Sequence, residues 1–329
     1  MRRSAEQFDA IVIGAGEAGA IVASCVAAAG KRVALIYQPP FGSTCLNVGC
    51  VPSKFLIHRA RIAHLARTAG RFHIDAGKPQ VQLDAIIRDK QALIVEHRTH
   101  SFAAARNSQR SSLLEGSARF LSPREVVVEE RRLTAARIFI ATGLRPDLPD
   151  IPGLERDQLL TSETIMELTE LPPRLVVLGG GYVACELGQA FRRFGSEVAI
   201  IQRHEHLLPR EEPDVSTLLE EAFEAEGIAL LLGRSAQRVS HGSHGVRVVV
   251  KGSDGAEQTV EGSHLLVATG RRPNTDTLGL EAAGIAADPK GYVAVNHRLS
   301  TNVRGIWAIG DVNGQQPFTR VCQEEAKIA

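Results

Sequence analysis

At about 150 residues per domain, a chain of 329 residues has room for two domains, and 44% hydrophobic with 23% charged residues excludes a disordered chain. Lys and Arg number 38 against 37 Asp and Glu, so the net charge of +1 gives no electrostatic case for nucleic acid or an anionic membrane as a partner. The sequence has no apolar run of 18 residues, opens on the polar stretch Met1 to Asp9, and spaces its five cysteines unevenly. Those features argue against a transmembrane helix, a secretory signal and a disulfide scaffold, and lead to the expectation of a cytoplasmic protein.

In chain order, Phe8 to Ile13 reads as a strand that enters the turn Gly14-Ala15-Gly16-Glu17-Ala18-Gly19. An Ala-rich helix follows to about Ala29, Gly30 ends it, and Lys31 to Tyr37 is the next strand. The unit recurs. Arg174 to Leu178 is a strand, Gly179-Gly180-Gly181-Tyr182-Val183-Ala184 a turn, a helix runs to Phe194, Gly195 stops it, and Glu197 to Gln202 is a strand. Tyr37 and Gln202 each lie 23 positions after the first glycine of their turn. β-rich runs come next in both halves (Glu125 to Glu129, Val246 to Lys251), then matching words, Ala141-Thr142-Gly143-Leu144-Arg145-Pro146 and Ala268-Thr269-Gly270-Arg271-Arg272-Pro273. The Pro-rich stretch Arg145 to Pro152 reads as a linker. From Gly291 the pattern returns to strand character and reaches Ile309-Gly310-Asp311, followed by a short helix.

Glycine at these spacings has a physical purpose. The first makes a tight turn, the second lets backbone approach a pyrophosphate, and the third position, Gly19 or Ala184, must be small for helix–strand packing. One such turn is weak support for a dinucleotide site; two copies in the same strand–turn–helix–strand context are strong.

The most specific stretch is Gly42-Ser43-Thr44-Cys45-Leu46-Asn47-Val48-Gly49-Cys50-Val51-Pro52-Ser53-Lys54. On one ideal helix Cys45 and Cys50 would point about 140° apart, a poor arrangement for a bond that needs Cα atoms within about 7 Å. A distorted helix entry at Gly49 relieves this. A buried structural pair and a zinc site are the alternatives. The zinc reading lacks a second close Cys or His pair, and no metal site is expected. A redox dithiol beside a bound dinucleotide accounts for more of the context.

These residues resemble the pyridine nucleotide–disulfide oxidoreductases: glutathione reductase, dihydrolipoamide dehydrogenase and mercuric reductase. Only Ser43 departs from the usual family phrase, and Lys54 to Leu65 looks most like the mercuric reductase branch. The resemblance implies an α/β fold of two Rossmann-like three-layer domains, one inserted in the other. The FAD domain would span 1–149 and 273–329, the NAD(P) domain 150–272. It implies FAD, with Gly14, Gly16, Gly19, Thr44, Thr142, Gly143, Gly310 and Asp311 at the flavin dinucleotide and Asp311 on its ribityl chain. Cys45 would be the interchange thiol and Cys50 the flavin-side thiol in charge-transfer contact. Lys54 would pair with Glu186 beside the flavin, and Tyr182 would cover the flavin until nicotinamide arrives. Gly179, Gly181 and Gly270 would serve the pyridine nucleotide. Gln202 stands where NAD binders carry an acid and Arg203 follows, so NADPH is expected, with NADH possible.

Two departures bear on FAD. Tyr37 replaces the acid that binds the adenosine ribose, and Ser43 replaces a glycine, at a cost of about 1 kcal/mol if the backbone there has positive φ. Cys25 and Cys185 are expected to pack among small neighbours, and Cys322 has no evident partner in the sequence. Relatives are homodimers built on a C-terminal domain that carries a His–Glu proton relay, and that domain and its interface are expected to be missing here. The expected reaction passes electrons from NADPH through FAD to Cys45–Cys50 and then to a small disulfide, a metal ion or a quinone. A dihydrolipoamide dehydrogenase and a non-catalytic dinucleotide-binding module are the alternatives.

Overall fold

A computed structural model describes residues 5–242 and 245–329. The chain runs β1 (Glu6–Ile13), α1 (Glu17–Ala28), β2 (Val33–Tyr37), α2 (Thr44–Val48), α3 (Cys50–Thr68), α4 (Leu83–Arg106), β3 (Ser111–Glu115), β4 (Ala118–Ser122), β5 (Glu125–Val128), β6 (Arg131–Ile140) and β7 (Leu144–Pro146). It continues with β8 (Arg174–Leu178), α5 (Tyr182–Phe194), β9 (Glu197–Ile201), α6 (Pro213–Ala225), β10 (Ala229–Leu231), β11 (Arg234–Gly242), β12 (Gly245–Gly252), β13 (Glu257–Gly262), β14 (His264–Val267), β15 (Arg271–Pro273), β16 (Ile306–Ala308) and α7 (Thr319–Ile328).

Two compact units emerge. The first comprises the chain up to Asn47, Ile94–Arg145 and Arg271–Ala329. Its sheet has the order β3-β2-β1-β6-β5-β4. β3, β2, β1 and β6 are parallel, and β4, β5 and β6 form an antiparallel meander. The far end of β6 also pairs with β16, Ile138 to Ile140 against Ile306 to Ala308. β1 alternates: Ile11 and Ile13 join one core with Phe120, Leu133 and Ile138, while Ala10 and Val12 face Ala18, Val22 and Ala326 of the helices on the other side. Both faces are covered, which is why β1 reads as a nearly unbroken apolar run.

The second unit comprises Val48–Leu93 and Pro146–Gly270. Its parallel sheet β10-β9-β8-β14 carries α3, α5 and α6 on one face, through Leu56, Ala60, Phe191, Phe194 and Phe223. The antiparallel β11-β12-β13 covers the other through Val239, Val246, Val248 and Val250. Lys90 of α4 is fully buried, donating to Glu167 at 2.6 Å and to the Met166 carbonyl.

The fold is mixed α/β, built twice on a parallel sheet with helices against it. Residues 48–93 fall in the second compact unit, whereas the sequence places them in the first domain. The reason is local: Leu56 and Ala60 of α3 are buried in the same core as Ala184, Leu187 and Phe191 of α5. Residues Gly291 to Gly305 form no extended strand; turns and isolated bridges, Ala287 with Val293 and Ser300 with Trp307, take their place. Arg145 is no free linker residue either. Its guanidinium donates to Asn274 at 2.9 Å and Asp276 at 2.7 Å.

Candidate active site

The two glycine turns share one backbone. Gly14 and Gly179 have φ of 109° and 108°, a region that strains L side chains. A Cβ on either would lie 2.3 or 2.4 Å from the carbonyl oxygen of Ala141 or Ala268. The third position is packed: a Cβ on Gly19 would stand 2.0 Å from the Gly14 oxygen, and Ala184 is fully buried. The middle glycines are different. Gly16 caps α1 at φ −71° with no neighbour closer than 4.0 Å, and Gly181 caps α5 at φ −78° with nothing within 4 Å. Neither helix start has a side-chain cap. Open N–H groups at the positive end of a helix suit a phosphate.

The first unit passes a further test for a polar dinucleotide. Thr142 Oγ1 and Asn47 Oδ1 are buried there without a hydrogen-bond partner. Gly143 follows Thr142 at φ 65°, as Gly270 follows Thr269 at 150° in the second unit. Gly310, at φ 72°, donates its N–H to Glu325 at 2.5 Å. Asp311 accepts from the Cys322 thiol at 3.3 Å, so the cysteine without an evident partner in the sequence has one in the fold. Burial first, then the Asp311 charge, pushes the Cys322 thiol up to about 12. Burial also raises the Glu325 carboxyl, although Asn313 and the Gly310 N–H oppose it.

The cysteine motif is built from two helices, not one. Cys45, half-buried, lies in α2, and Cys50, exposed, opens α3. Gly49 between them has φ −129° and ψ −114°, so the angle expected on a single helix does not apply. Ser43 corrects an expectation. Its backbone is outside the left-handed region, so no strain follows from replacing glycine. Its hydroxyl accepts the Leu46 N–H at 3.1 Å, which caps α2, a position that favours serine. Gly42, at φ 111°, provides the turn instead.

Within the second unit, Lys54 Nζ donates to both oxygens of Glu186, at 2.6 and 2.8 Å. This joins α3, one turn after Cys50, to α5, one turn after Gly181. Tyr182 begins α5 and is 44% exposed. Gln202 is buried, with its side chain against Gly180 and an amide contact to the His206 carbonyl, so it is turned away from solvent. Arg203 and His204 are exposed and in contact, Nε to Nε2 at 3.3 Å. Cys185 is buried as expected, and burial followed by the Glu186 charge pushes its thiol up to about 12. Cys25, expected to pack, is exposed; the buried stripe of α1 is Ala18, Gly19, Val22 and Ala23, and Cys25 lies off it.

Two histidines, His58 and His64, share α3 with Cys50 but lie far along it. At ~1.5 Å per residue, His58 lies about 12 Å and His64 about 21 Å along α3 from it. His64 instead meets Glu226 at 3.8 Å, with Arg193 holding that carboxylate at 2.5 and 2.8 Å. Burial acts to raise the Glu226 carboxyl, but Arg193, His64 and Gln189 together hold it below its usual range. Among the described residues, no group of three His, Cys, Asp or Glu side chains could hold a metal ion, and no helix is long and apolar enough to cross a membrane.

A family model for pyridine nucleotide-disulphide oxidoreductases matches residues 8–326. The mercuric reductase of Lysinibacillus sphaericus is 36% identical over 323 residues, 98% of this chain and 59% of that protein. Against the mercuric reductases of Staphylococcus aureus and Bacillus cereus the chain spans 58% and 51% of their lengths, so it matches little more than half of these relatives. The dihydrolipoyl dehydrogenase of Thermus scotoductus is 36% identical over 98% of this chain and 70% of its own. Among solved structures, the HOCl-induced flavoprotein disulfide reductase RclA from Escherichia coli superposes with a TM-score of 0.86 at 32% identity, covering 97% of this chain and 69% of its own.

Proposed function

We propose, from the premise that this chain belongs to the pyridine nucleotide-disulphide oxidoreductase family of FAD-dependent enzymes, that it moves electrons from NADPH to a Cys45–Cys50 disulfide and on to an acceptor. FAD, when bound, supplies acceptance of hydride from the nicotinamide and two-electron delivery to a disulfide. The balance is simple. NADPH and one proton give NADP⁺ and the two thiols of Cys45 and Cys50. Those thiols then reduce one acceptor disulfide, or a metal ion or quinone of equal electron demand, and re-form their own bond.

The observation that carries this reading is the Lys54–Glu186 pair. It ties the helix that Cys50 opens to the helix that the second glycine turn opens. Cys50 opens α3 and Lys54 lies one turn on, so the flavin-side role is assigned to Cys50. Cys45, on its own short helix, is the thiol assigned to the acceptor. Gly14, Gly16, Gly19, Thr44, Thr142, Gly143, Gly310 and Asp311 would hold FAD in a domain of 1–149 and 273–329. Gly179, Gly181, Tyr182, Arg203 and Gly270 would hold the pyridine nucleotide in a domain of 150–272. The exposed Arg203 at the end of β9 supports NADPH, and this sets the reading apart from a dehydrogenase that delivers electrons to NAD⁺. A mercuric reductase-like acceptor rests on the relatives and on Lys54 to Leu65.

Absorption spectra test the proposal. Purified protein should be yellow. Anaerobic NADPH should reduce the parent disulfide and raise a long-wavelength band, which oxidised Cys45→Ser should show without reductant and Cys50→Ser should lack. A colourless protein that takes up no FAD would favour the non-catalytic module, and the same band in both variants would overturn the cysteine assignment.

A further inference from the structure

The residue 23 positions after the first glycine normally carries the carboxylate that binds an adenosine ribose, and here it is Tyr37. Its ring is already committed. It packs edge-on against Phe41 at 5.2 Å and Phe102 at 6.1 Å, and its hydroxyl donates to Glu115 Oε2 at 3.0 Å. β2 and β3 are parallel neighbours in which Tyr37 is registered against Glu115. The two side chains therefore leave the same face, about 4.8 Å apart. Each is the last residue of its strand, and ligands of such sheets bind beyond the carboxyl ends of the strands. Glu115 is exposed there, next to Gly116, whose N–H is taken by the Tyr37 carbonyl at 2.9 Å. Burial and the Glu115 carboxylate hold the Tyr37 phenol above its ordinary value, so it remains a proton donor.

We propose that Glu115 supplies the carboxylate for the adenosine ribose of FAD from the neighbouring strand, with the Tyr37 hydroxyl positioning it. The acid has moved by one strand rather than been lost. This inference rests on the first unit being the FAD site, as proposed above. A ribose diol donates two hydrogen bonds to a carboxylate, and hydrogen bonds to a charged group are among the stronger ones.

The test is a titration of flavin-stripped protein with FAD, followed by quenching of flavin fluorescence. Glu115→Gln should weaken FAD binding about tenfold or more, with the melting temperature of the apoprotein unchanged. Tyr37→Glu combined with Glu115→Gln should return the affinity to within a few-fold of the parent by restoring an acid on β2. If the parent chain binds FAD and Glu115→Gln binds it equally well, the inference falls and the FAD reading stands. A double variant as weak as Glu115→Gln would also overturn it, since a carboxylate at this corner would then not be what was lost. A parent chain that takes up no FAD would bring down the FAD reading itself.

Discussion

On the proposed function, nucleotide choice would turn on Arg203. Gln202, which occupies the position of the usual acid, is buried against Gly180 and leaves the exposed edge to Arg203 and His204. A guanidinium binds a 2′-phosphate in two-pronged fashion, which an ammonium or imidazole cannot. NADPH should therefore reduce the protein at lower concentration than NADH. Arg203→Glu should reverse that order, costing about ten- to a hundredfold in NADPH affinity; equal use of both nucleotides by the parent would contradict this. At this scale the sequence was legible where a residue belongs to a motif. The Lys54–Glu186 contact is 132 positions apart in sequence, yet each partner is anchored to its own signature. Ser43 and Cys25 were misread because their environments depend on backbone angle and helix face. The Tyr37–Glu115 contact was invisible because Glu115 belongs to no motif and meets Tyr37 only through strand register.

The glycine turns show how an element can be divided into framework and seat. Gly14 and Gly19 are framework: each lies against backbone with no space for a methyl group. Gly16 has space and an ordinary φ, so what its missing side chain leaves open is room for a ligand. Gly19→Ala should cost several kcal/mol and leave little folded protein, because backbone cannot move aside as a side chain can. Gly16→Ala should fold with a melting temperature close to the parent and bind FAD at least tenfold more weakly. Thermal denaturation and flavin content, measured on both variants, check the pair; a Gly16→Ala protein with full flavin would remove the seat from that turn. Periodicity located β1, α1, β8 and α5 because each has a strong apolar pattern and a glycine stop. It failed over Gly291 to Gly305, where short apolar words are held by turns rather than by a ladder.

For the molecule as a whole, stability against acid rests partly on the clamp around Glu226. Its folded carboxyl is held below the usual range, so it contributes stability above the unfolded value of about 4.3 and loses it as pH falls through the folded one. Glu226→Gln should lower unfolding free energy by about 1–3 kcal/mol at pH 7, with the gap to the parent closing as pH drops below about 4. Urea denaturation at several pH values gives both numbers, and a gap independent of pH would exclude the ionic account. The two-unit organisation was legible from the repeated βαβ pattern, whereas the allegiance of residues 48–93 was decided by packing on α5, which no local pattern reveals. That allegiance makes the chain cross between the units at four points, near residues 47, 93, 145 and 270. Order of synthesis then separates from order of completion. The second unit's last strand, β14, leaves the ribosome before the first unit receives β16, which must still slot beside β6. The part of the protein made first is thus the last to close, and a nascent chain stalled after residue 270 would hold one finished sheet and one still lacking its final strand.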